Sequence, residues 1–530
     1  MAVIKRDTEE IILRVHSKSP LVDVVPSAKV VSDKPGDVLV AVPHKPKEVV
    51  TLRQLGFKRI PDPMNLYYDY PGKFKPFDVQ KQTAQFASMN PRCFILNSMG
   101  LGKTITALWA FDYLQKLGYV HKALVVCPIS VMERTWADEV FRSFINHRAV
   151  VLYGAAKKRK ELLADRTADI YIINPDGQEI IADDLRERPD IDLIIIDEVA
   201  LFRNSRTKRW KSMNTICNKQ LGGKRRVWGM TGSPIPNSPE DAYGQVKLVN
   251  PGNPDLPRSF MAWRERVMTH VSQFRWEAKK TAVDDVHRVM APAVRFSLDD
   301  AVDLPPQIIS TRKISMSPEQ KKAFTDMAKT LFAEIGKDGQ VLAVNEAVKA
   351  SKLLQIACGV VYGGAGKELY VGAKERQAVL EEVVEESEGK VIVFVPFSSA
   401  LSDVKSFLEK QGHTVAVVDG STSKAARDEI FYSFQHSKDP QVLVANPLTM
   451  SHGLTLIAAT TIVWYGPSYS NEVYQQACAR IRRPGQTHTT VIVHFVSSAF
   501  EEHVYRQLSQ RQSTQGLLLQ MVKENDLTVY

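Results

Sequence analysis

Short, wholly apolar segments alternate with helix-like stretches along most of this chain, and the rhythm occurs twice. In the first run, Cys93–Asn97, Ala123–Cys127, Ile170–Ile173, Leu193–Ile196 and Arg226–Thr231 read as strands. Helices are predicted over Phe77–Met89, Thr104–Leu117 and Val131–Phe144. In the second run, the strands are Val391–Val395, Thr414–Val418, Val442–Ala445, Thr461–Trp464 and Thr490–Val496. Its helices are Glu375–Glu386, Ser399–Gln411, Ala425–Phe434, Asn471–Arg483 and Phe500–Gln512. A strand with no polar alternation is buried on both faces, and strands separated by helices pair in parallel. The expected fold class is therefore α/β, two tandem lobes around central parallel sheets.

Other segments break the rhythm. Residues 1–70 form a small α/β piece, with strands at Glu10–Val15, Val38–Val42 and around Leu66–Tyr70 and a helix at Pro46–Gly56. Pro71–Pro76 reads as a connector, and Pro251–Pro306, with Pro254, Pro257 and Pro292, as a helical insertion between the lobes. The divisions expected are 1–70, a first lobe at 71–250, insertion and linker at 251–330, a second lobe at 331–512 and a tail at 513–530. No apolar run approaches the ~20 residues of a membrane span. The start lacks the apolar stretch of a secretory signal. The five cysteines, at 93, 127, 217, 358 and 478, are too scattered for a disulfide framework or a zinc site. A reducing cytoplasm is the simplest compartment.

Lysine plus arginine outnumber aspartate plus glutamate by 69 to 59. Val199–Pro239 holds no acidic residue but carries Arg203, Arg206, Lys208, Arg209, Lys211, Lys219, Lys224, Arg225 and Arg226. Taken alone, that run fits a solvated face as well as a polyanionic partner.

The chemistry sits in three places. Asn97-Ser98-Met99-Gly100-Leu101-Gly102-Lys103-Thr104 lies between a strand and a helix. Gly100 and Gly102 let backbone amides approach phosphate oxygens, and the helix start adds positive charge. Lys103 can reach the outer phosphates, and the Thr104 hydroxyl can ligate Mg²⁺. The glycine that usually opens such a loop is Asn97 here. Next, Asp197-Glu198 ends an apolar strand, at the ligand edge of a parallel sheet. Asp197 is placed to hold Mg²⁺ and Glu198 to polarise the attacking water, although acidic pairs also end strands for no catalytic reason. Finally, Arg480 and Arg483 lie three apart on the expected helix Asn471–Arg483, with Gln476 one turn earlier on the same face. Such arginines stabilise charge on a transferring phosphoryl group, or simply face solvent.

Together these motifs resemble a Swi/Snf-type DNA translocase of helicase superfamily two, in family order over about Phe74–Gln512. Gly100–Thr104 matches motif I, with Pro76 to Gln80 similar to the upstream glutamine motif that reads adenine. Asp197-Glu198-Val199-Ala200 stands where the family has a DEAH box. Met230–Pro234 with Asn237 resembles motif III, and Leu304-Pro305-Pro306 with Ser317 and Gln320 resembles the linker signature. Gly453–Leu456 resembles motif V, and Gln476 to Gln486 matches motif VI. The turn at Ser451–Gly453 and the segment Ile462–Gln486 are most similar to compact bacteriophage-type members. The chain departs from the family at Asn97-Ser98, at Ala200 in place of histidine, and at Met450-Ser451 in place of paired glycines.

The resemblance implies two RecA-like lobes, ATP with Mg²⁺, and a monomer working on double-stranded or branched DNA without a membrane, in the cytoplasm, or the host's if the source is a phage. The nucleotide would meet Gln80, Gly100, Gly102, Lys103, Thr104 and Gln476, in a cleft between the lobes. DNA phosphates would meet Pro128, Ser130, Asn174 and Arg203 in the first lobe, and Phe397, Ser398, Ser451 and His452 in the second. Three functions share these motifs: translocation on duplex DNA, strand separation or branch migration, and nucleotide-gated recruitment. Glu198 and both arginines argue against the third, and the linker signature and Pro484-Gly485-Gln486 against an RNA helicase.

Overall fold

The computed structural model describes residues 2–16, 19–34, 37–73, 75–219, 224–236, 238–272, 275–338, 343–362, 368–370, 372–450, 455–509 and 528–530. It divides into two compact units. The first is Met1–Ile235 with Pro239–Ala301, and the second is Val302–Tyr530 with Pro236–Ser238.

Both expected RecA-like lobes are present. The first unit holds a seven-stranded sheet in the order Ala293–Val294, Arg92–Ile95, Arg226–Met230, Ile191–Asp197, Lys122–Val126, Ile170–Ile173, Ala149–Val151. Every pairing in it is parallel. Its central strands are buried on both faces, and a separate apolar core covers each side. This is why they read as unbroken apolar runs. The second unit repeats the plan with six parallel strands, ordered Gln307–Lys313, Thr490–Val496, Ala459–Trp464, Lys390–Phe394, Val442–Ala445, Val415–Val418. It too has a core on each face.

The opening piece is an antiparallel sheet, in the order Ala2–Lys5, Glu10–Val15, Asp37–Pro43, Lys29–Lys34. One face packs on the helix Pro46–Gln54 and on Met89. The strand expected around Leu66–Tyr70 is instead a short helix, Met64–Tyr67, followed by extended chain. Tertiary contacts override the β propensity of these residues. Tyr68 donates a hydrogen bond to the buried Asp112 at 2.6 Å and meets Tyr70 edge-on.

The segment Pro251–Pro306 differs most from expectation. Its residues up to Ala301 belong to the first unit. Besides the helices Phe260–Val267 and Ala282–Val289, it holds the hairpin Met268–Ser272 and Arg275–Ala278. It closes with Ala293–Val294, which extends the first sheet beside the strand leading into the phosphate loop. All five cysteines are free and buried. Among the described residues no helix is long and apolar enough to cross a membrane.

Candidate active site

Sheet order builds the site of the first unit. The strands ending near Asn97, Thr231 and Asp197 are immediate neighbours, so three loops remote in sequence leave one edge side by side. The phosphate loop adopts the conformation its glycines permit. Gly100 has φ +87° and Gly102 φ +66°, where a side chain would be strained. A Cβ on Gly102 would also lie 2.6 Å from Gln80 Nε2. The helix Lys103–Lys116 then starts at the lysine, with Thr104 half-buried in its first turn. Lys103 Nζ donates to the loop carbonyls of Asn97 at 2.9 Å and Ser98 at 3.3 Å. Gln80 caps its own helix, accepting from Phe77 N, and donates to Leu101 O at 3.1 Å. It therefore braces the phosphate loop from behind.

Asn97, which departs from the family pattern, has a structural task. It is buried, donates to Thr83 Oγ1 at 2.8 Å and accepts from Phe296 N at 3.0 Å. Ser98 N also donates to Phe296 O at 2.9 Å. The end of the inserted segment thus fixes the start of the phosphate loop.

The two carboxylates are held differently. Asp197 Oδ2 accepts from Trp136 Nε1 at 2.9 Å. Burial pushes the Asp197 carboxyl above its usual range, while the Trp136 hydrogen bond and the charge of Lys103 pull it back. Glu198 sits at φ +62°, a left-handed conformation that a non-glycine residue holds only when its surroundings enforce it. Its side chain is anchored there by a hydrogen bond from Thr231 Oγ1 to Glu198 Oε1. Thr231 is fully buried, and its hydroxyl also accepts from Ser233 N at 3.0 Å. Gly232 beside it leaves room for Met99 of the phosphate loop, whose Cγ would be 3.1 Å from an added Cβ. Thr231 therefore tethers the Glu198 carboxylate directly, although the residue at the DEAH histidine position is Ala200 here.

Thr104 hydroxyl and Asp197 carboxylate are hard oxygen donors of the kind Mg²⁺ takes beside substrate phosphates. A partly enclosed carboxylate already stabilised by neighbouring positive charge fits such a cation.

In the second unit the helix ends earlier than expected. It runs Asn471–Cys478, and the chain turns at Ala479. Arg480 and Arg483 therefore lie in a loop rather than on a shared helix face. The loop is fixed from within: Leu456 N donates to Arg480 O at 3.0 Å. Gln486 is its pin, donating to the carbonyls of Ile457, Ala459 and Ile481 at 3.1–3.2 Å and accepting from Thr487 N and His488 N. Arg480 is buried, and burial together with the charge of Arg483 drives its pKa well down. Arg483 donates to Thr455 Oγ1 at 2.9 Å and Ala479 O at 3.0 Å, and burial pushes it down to about 10. The charge of half-exposed Arg483 disfavours that of buried Arg480, and an arriving anion relieves this. Gln476, expected at the nucleotide, is buried and bonds to Glu472 Oε1 one turn back at 3.1 Å. In this structure it holds its own helix together.

The expected phosphate contacts divide. Pro128 and Ser130 are half-buried at the carboxyl edge of the first sheet, and Arg203 is partly exposed, 3.9 Å from Asp241. Phe397 half-packs on both cores of the second unit and Ser398 is exposed at the start of the helix Ser398–Lys410. Asn174 is instead turned inward, buried and accepting from Arg159 Nη1 at 3.2 Å. The acidic-free run is not one basic face. Arg225 is buried, donating to the carbonyls of Ile216, Leu185 and Arg188, and Arg209 pairs with Asp176. Ser451 and His452, with Asn237, Gly453, Leu454 and most of the 513–530 tail, lie outside the described residues.

Sequence reasoning named Thr231 only as part of a motif and missed Trp136 altogether. A signal for Trp136 exists. Met132, Trp136, Val140 and Phe144 are all buried at intervals of four, which on an α-helix precess by about 40° per step. A six-residue π-helical stretch, Met132–Ala137, absorbs part of that drift, and such stretches recur at functional sites.

Residues 79–358 match the SNF2-related domain and residues 374–485 the helicase conserved C-terminal domain. Protein p41 of Acyrthosiphon pisum secondary endosymbiont phage 1 is 27% identical over 80% of this chain and 94% of its own length. An uncharacterized ATP-dependent helicase of Mycoplasma pneumoniae is 23% identical over 79% of this chain, which spans only 39% of that relative. A Sulfolobus solfataricus SWI2/SNF2 ATPase core solved with double-stranded DNA aligns over 86% of this chain and 95% of that one, at 20% identity and a TM-score of 0.40.

Proposed function

The chain belongs to the SNF2-related family and is an ATP hydrolase, and from that premise we propose that it is a motor that translocates along double-stranded DNA and remodels what it meets there. The observation that supports the hydrolytic step of this reading is the Thr231–Glu198 bond beside the phosphate loop, on a carboxylate whose backbone sits in a costly conformation. A fold with no use for that carboxylate has no reason to bear the strain.

In the proposed cycle, Lys103 leaves the carbonyls of Asn97 and Ser98 for the outer phosphates of ATP. Backbone amides at Gly100–Lys103 take the remaining oxygens. Thr104 and Asp197 hold Mg²⁺, which neutralises phosphate charge when bound. Glu198, oriented by Thr231, polarises the water that attacks the γ-phosphorus. Arg480 and Arg483 from the second lobe stabilise charge as the bond to ADP breaks, and the cycle drives alternating grip on the track. DNA is held by phosphate contacts at Pro128, Ser130, Arg203, Phe397 and Ser398, and at Ser451 and His452. Phosphates position without reading sequence, so stimulation is independent of DNA sequence and falls steeply with salt.

Strand separation is the second reading. The hairpin Met268–Ser272 and Arg275–Ala278, with exposed His270 beside Trp276, is the element that favours it. The test is triplex displacement beside forked-duplex unwinding, both with ATP and with Lys103→Ala as control. Triplex displacement without fork unwinding supports the translocase, and fork unwinding without triplex displacement refutes it.

A further inference from the structure

Trp136 has no place in the hydrolysis step, yet it touches the group expected to hold the metal. Its indole is wholly buried and its Nε1 is 2.9 Å from Asp197 Oδ2. It rides on a short helical stretch, Ile129–Val131 continued by the π-helical Met132–Ala137, whose first end is the Pro128–Ser130 turn. That turn follows the strand Lys122–Val126, and Asp197 closes the neighbouring strand, with Val126 in register with Ile196. At the open end Ile129 is 50% exposed and Ser130 half-buried. One short helical stretch thus has one end at the surface and an indole on the partly enclosed carboxylate.

We propose that Trp136 is a positioning residue that orients Asp197 and carries engagement of the Pro128–Ser130 turn by DNA to the nucleotide site. The inference rests on the DNA-motor reading for the turn's ligand. Its mechanics need little motion. A 2.9 Å hydrogen bond lengthened by only ~0.5 Å leaves the favourable N–H···O range. A sub-ångström shift of the helical stretch therefore makes or weakens the bond. The donor engages Oδ2 alone, so it fixes the plane of the Asp197 carboxylate. A partner that orients a metal ligand is typically worth about 10–100-fold in activity.

Trp136→Phe tests this, because it keeps an aromatic ring in the core and removes the N–H. The expected result is a folded protein whose DNA-saturated kcat falls about 10–100-fold. KM for ATP and DNA affinity should change much less, and the ratio of DNA-saturated to DNA-free kcat should collapse. A purely packing role would lower the melting temperature and leave that ratio intact, which overturns the proposal. A second readout needs neither turnover nor metal. With ¹⁵N-labelled tryptophan, the Trp136 indole signal, one of seven in the chain, should move when duplex DNA is added to nucleotide-free wild type. An unmoved signal in a protein whose ATPase duplex DNA does stimulate overturns the coupling and leaves the motor reading standing. Absence of stimulation in wild type overturns the motor reading itself, and the inference with it.

Discussion

Replacing Thr231 by valine removes one hydroxyl at nearly constant volume from a fully buried position, and the structure says what is lost. Thr231 donates to Glu198 Oε1 and accepts from Ser233 N at 3.0 Å. A hydrogen bond to a charged group is worth about 1.5–3 kcal/mol. At 1.36 kcal/mol per decade, losing it from the transition state lowers turnover by about 10- to 150-fold. Glu198 also loses the contact that anchors its side chain on a left-handed backbone, a conformation that itself costs about 1–3 kcal/mol. Because the proposed role of Glu198 is on the water rather than on ATP, KM for ATP should stay within about threefold. Thr231→Ser keeps the hydroxyl and loses only a methyl, so it should retain most activity. The assay is DNA-saturated steady-state ATPase for both variants, with thermal melting to verify folding. If valine turns over as fast as serine, the hydroxyl does not orient the base and the reasoning fails.

Lys103→Ala should abolish hydrolysis while duplex binding survives, and Glu198→Gln should bind ATP yet turn over very slowly; single-turnover kinetics with filter binding separates the two. Arg483→Ala should lower kcat by about 10³-fold with far less effect on ATP affinity; a loss confined to DNA affinity would assign that arginine to the track. Glu501 accepts from Arg376 Nη2 at 3.0 and 3.2 Å with both side chains buried, so Glu501→Ala strands a guanidinium and should cost the second unit about 3–5 kcal/mol. Urea unfolding followed at Trp464 measures it, and the double change Arg376→Met with Glu501→Leu, which removes both charges together, should be better tolerated than the single one. His494 is stacked on Tyr505 and bonded to Tyr474, and burial pushes its pKa down to about 3 from 6.5. The unfolded chain then binds the extra proton between pH 6.5 and 3, so stability falls as pH drops through that window. Acidification from pH 6.5 to 5 should cost ~2 kcal/mol, and His494→Gln should remove that component of the pH dependence.

By itself the sequence determined the central strands of both lobes and the turn chemistry of the phosphate loop, though not the short helix Met64–Tyr67 or the hairpin Met268–Ser272 with Arg275–Ala278. Unbroken apolar runs specify strands covered on both faces, and both parallel sheets follow from them. Gly100 and Gly102 stand where the backbone needs positive φ, a requirement each residue meets alone. The strand Thr490–Val496 and the carboxylates closing Ile191–Asp197 were legible for the same reason. Tertiary structure decided everything that depends on which strand lies beside which. Sheet order brings Thr231 to Glu198 and Trp136 to Asp197, across 33 and 61 residues. The motif VI helix ends at Cys478, short of Pro484, and the Arg480 carbonyl, whose helical donor would be that proline, accepts from Leu456 instead. Asn174 and Arg225 share their residue types with surface contacts yet are turned inward, because buried partners were waiting for them, while Gln476 is buried against its own helix. A hydrogen bond between distant segments is fixed only when the sheet has chosen its neighbours, and that choice is made by the packing of the whole lobe.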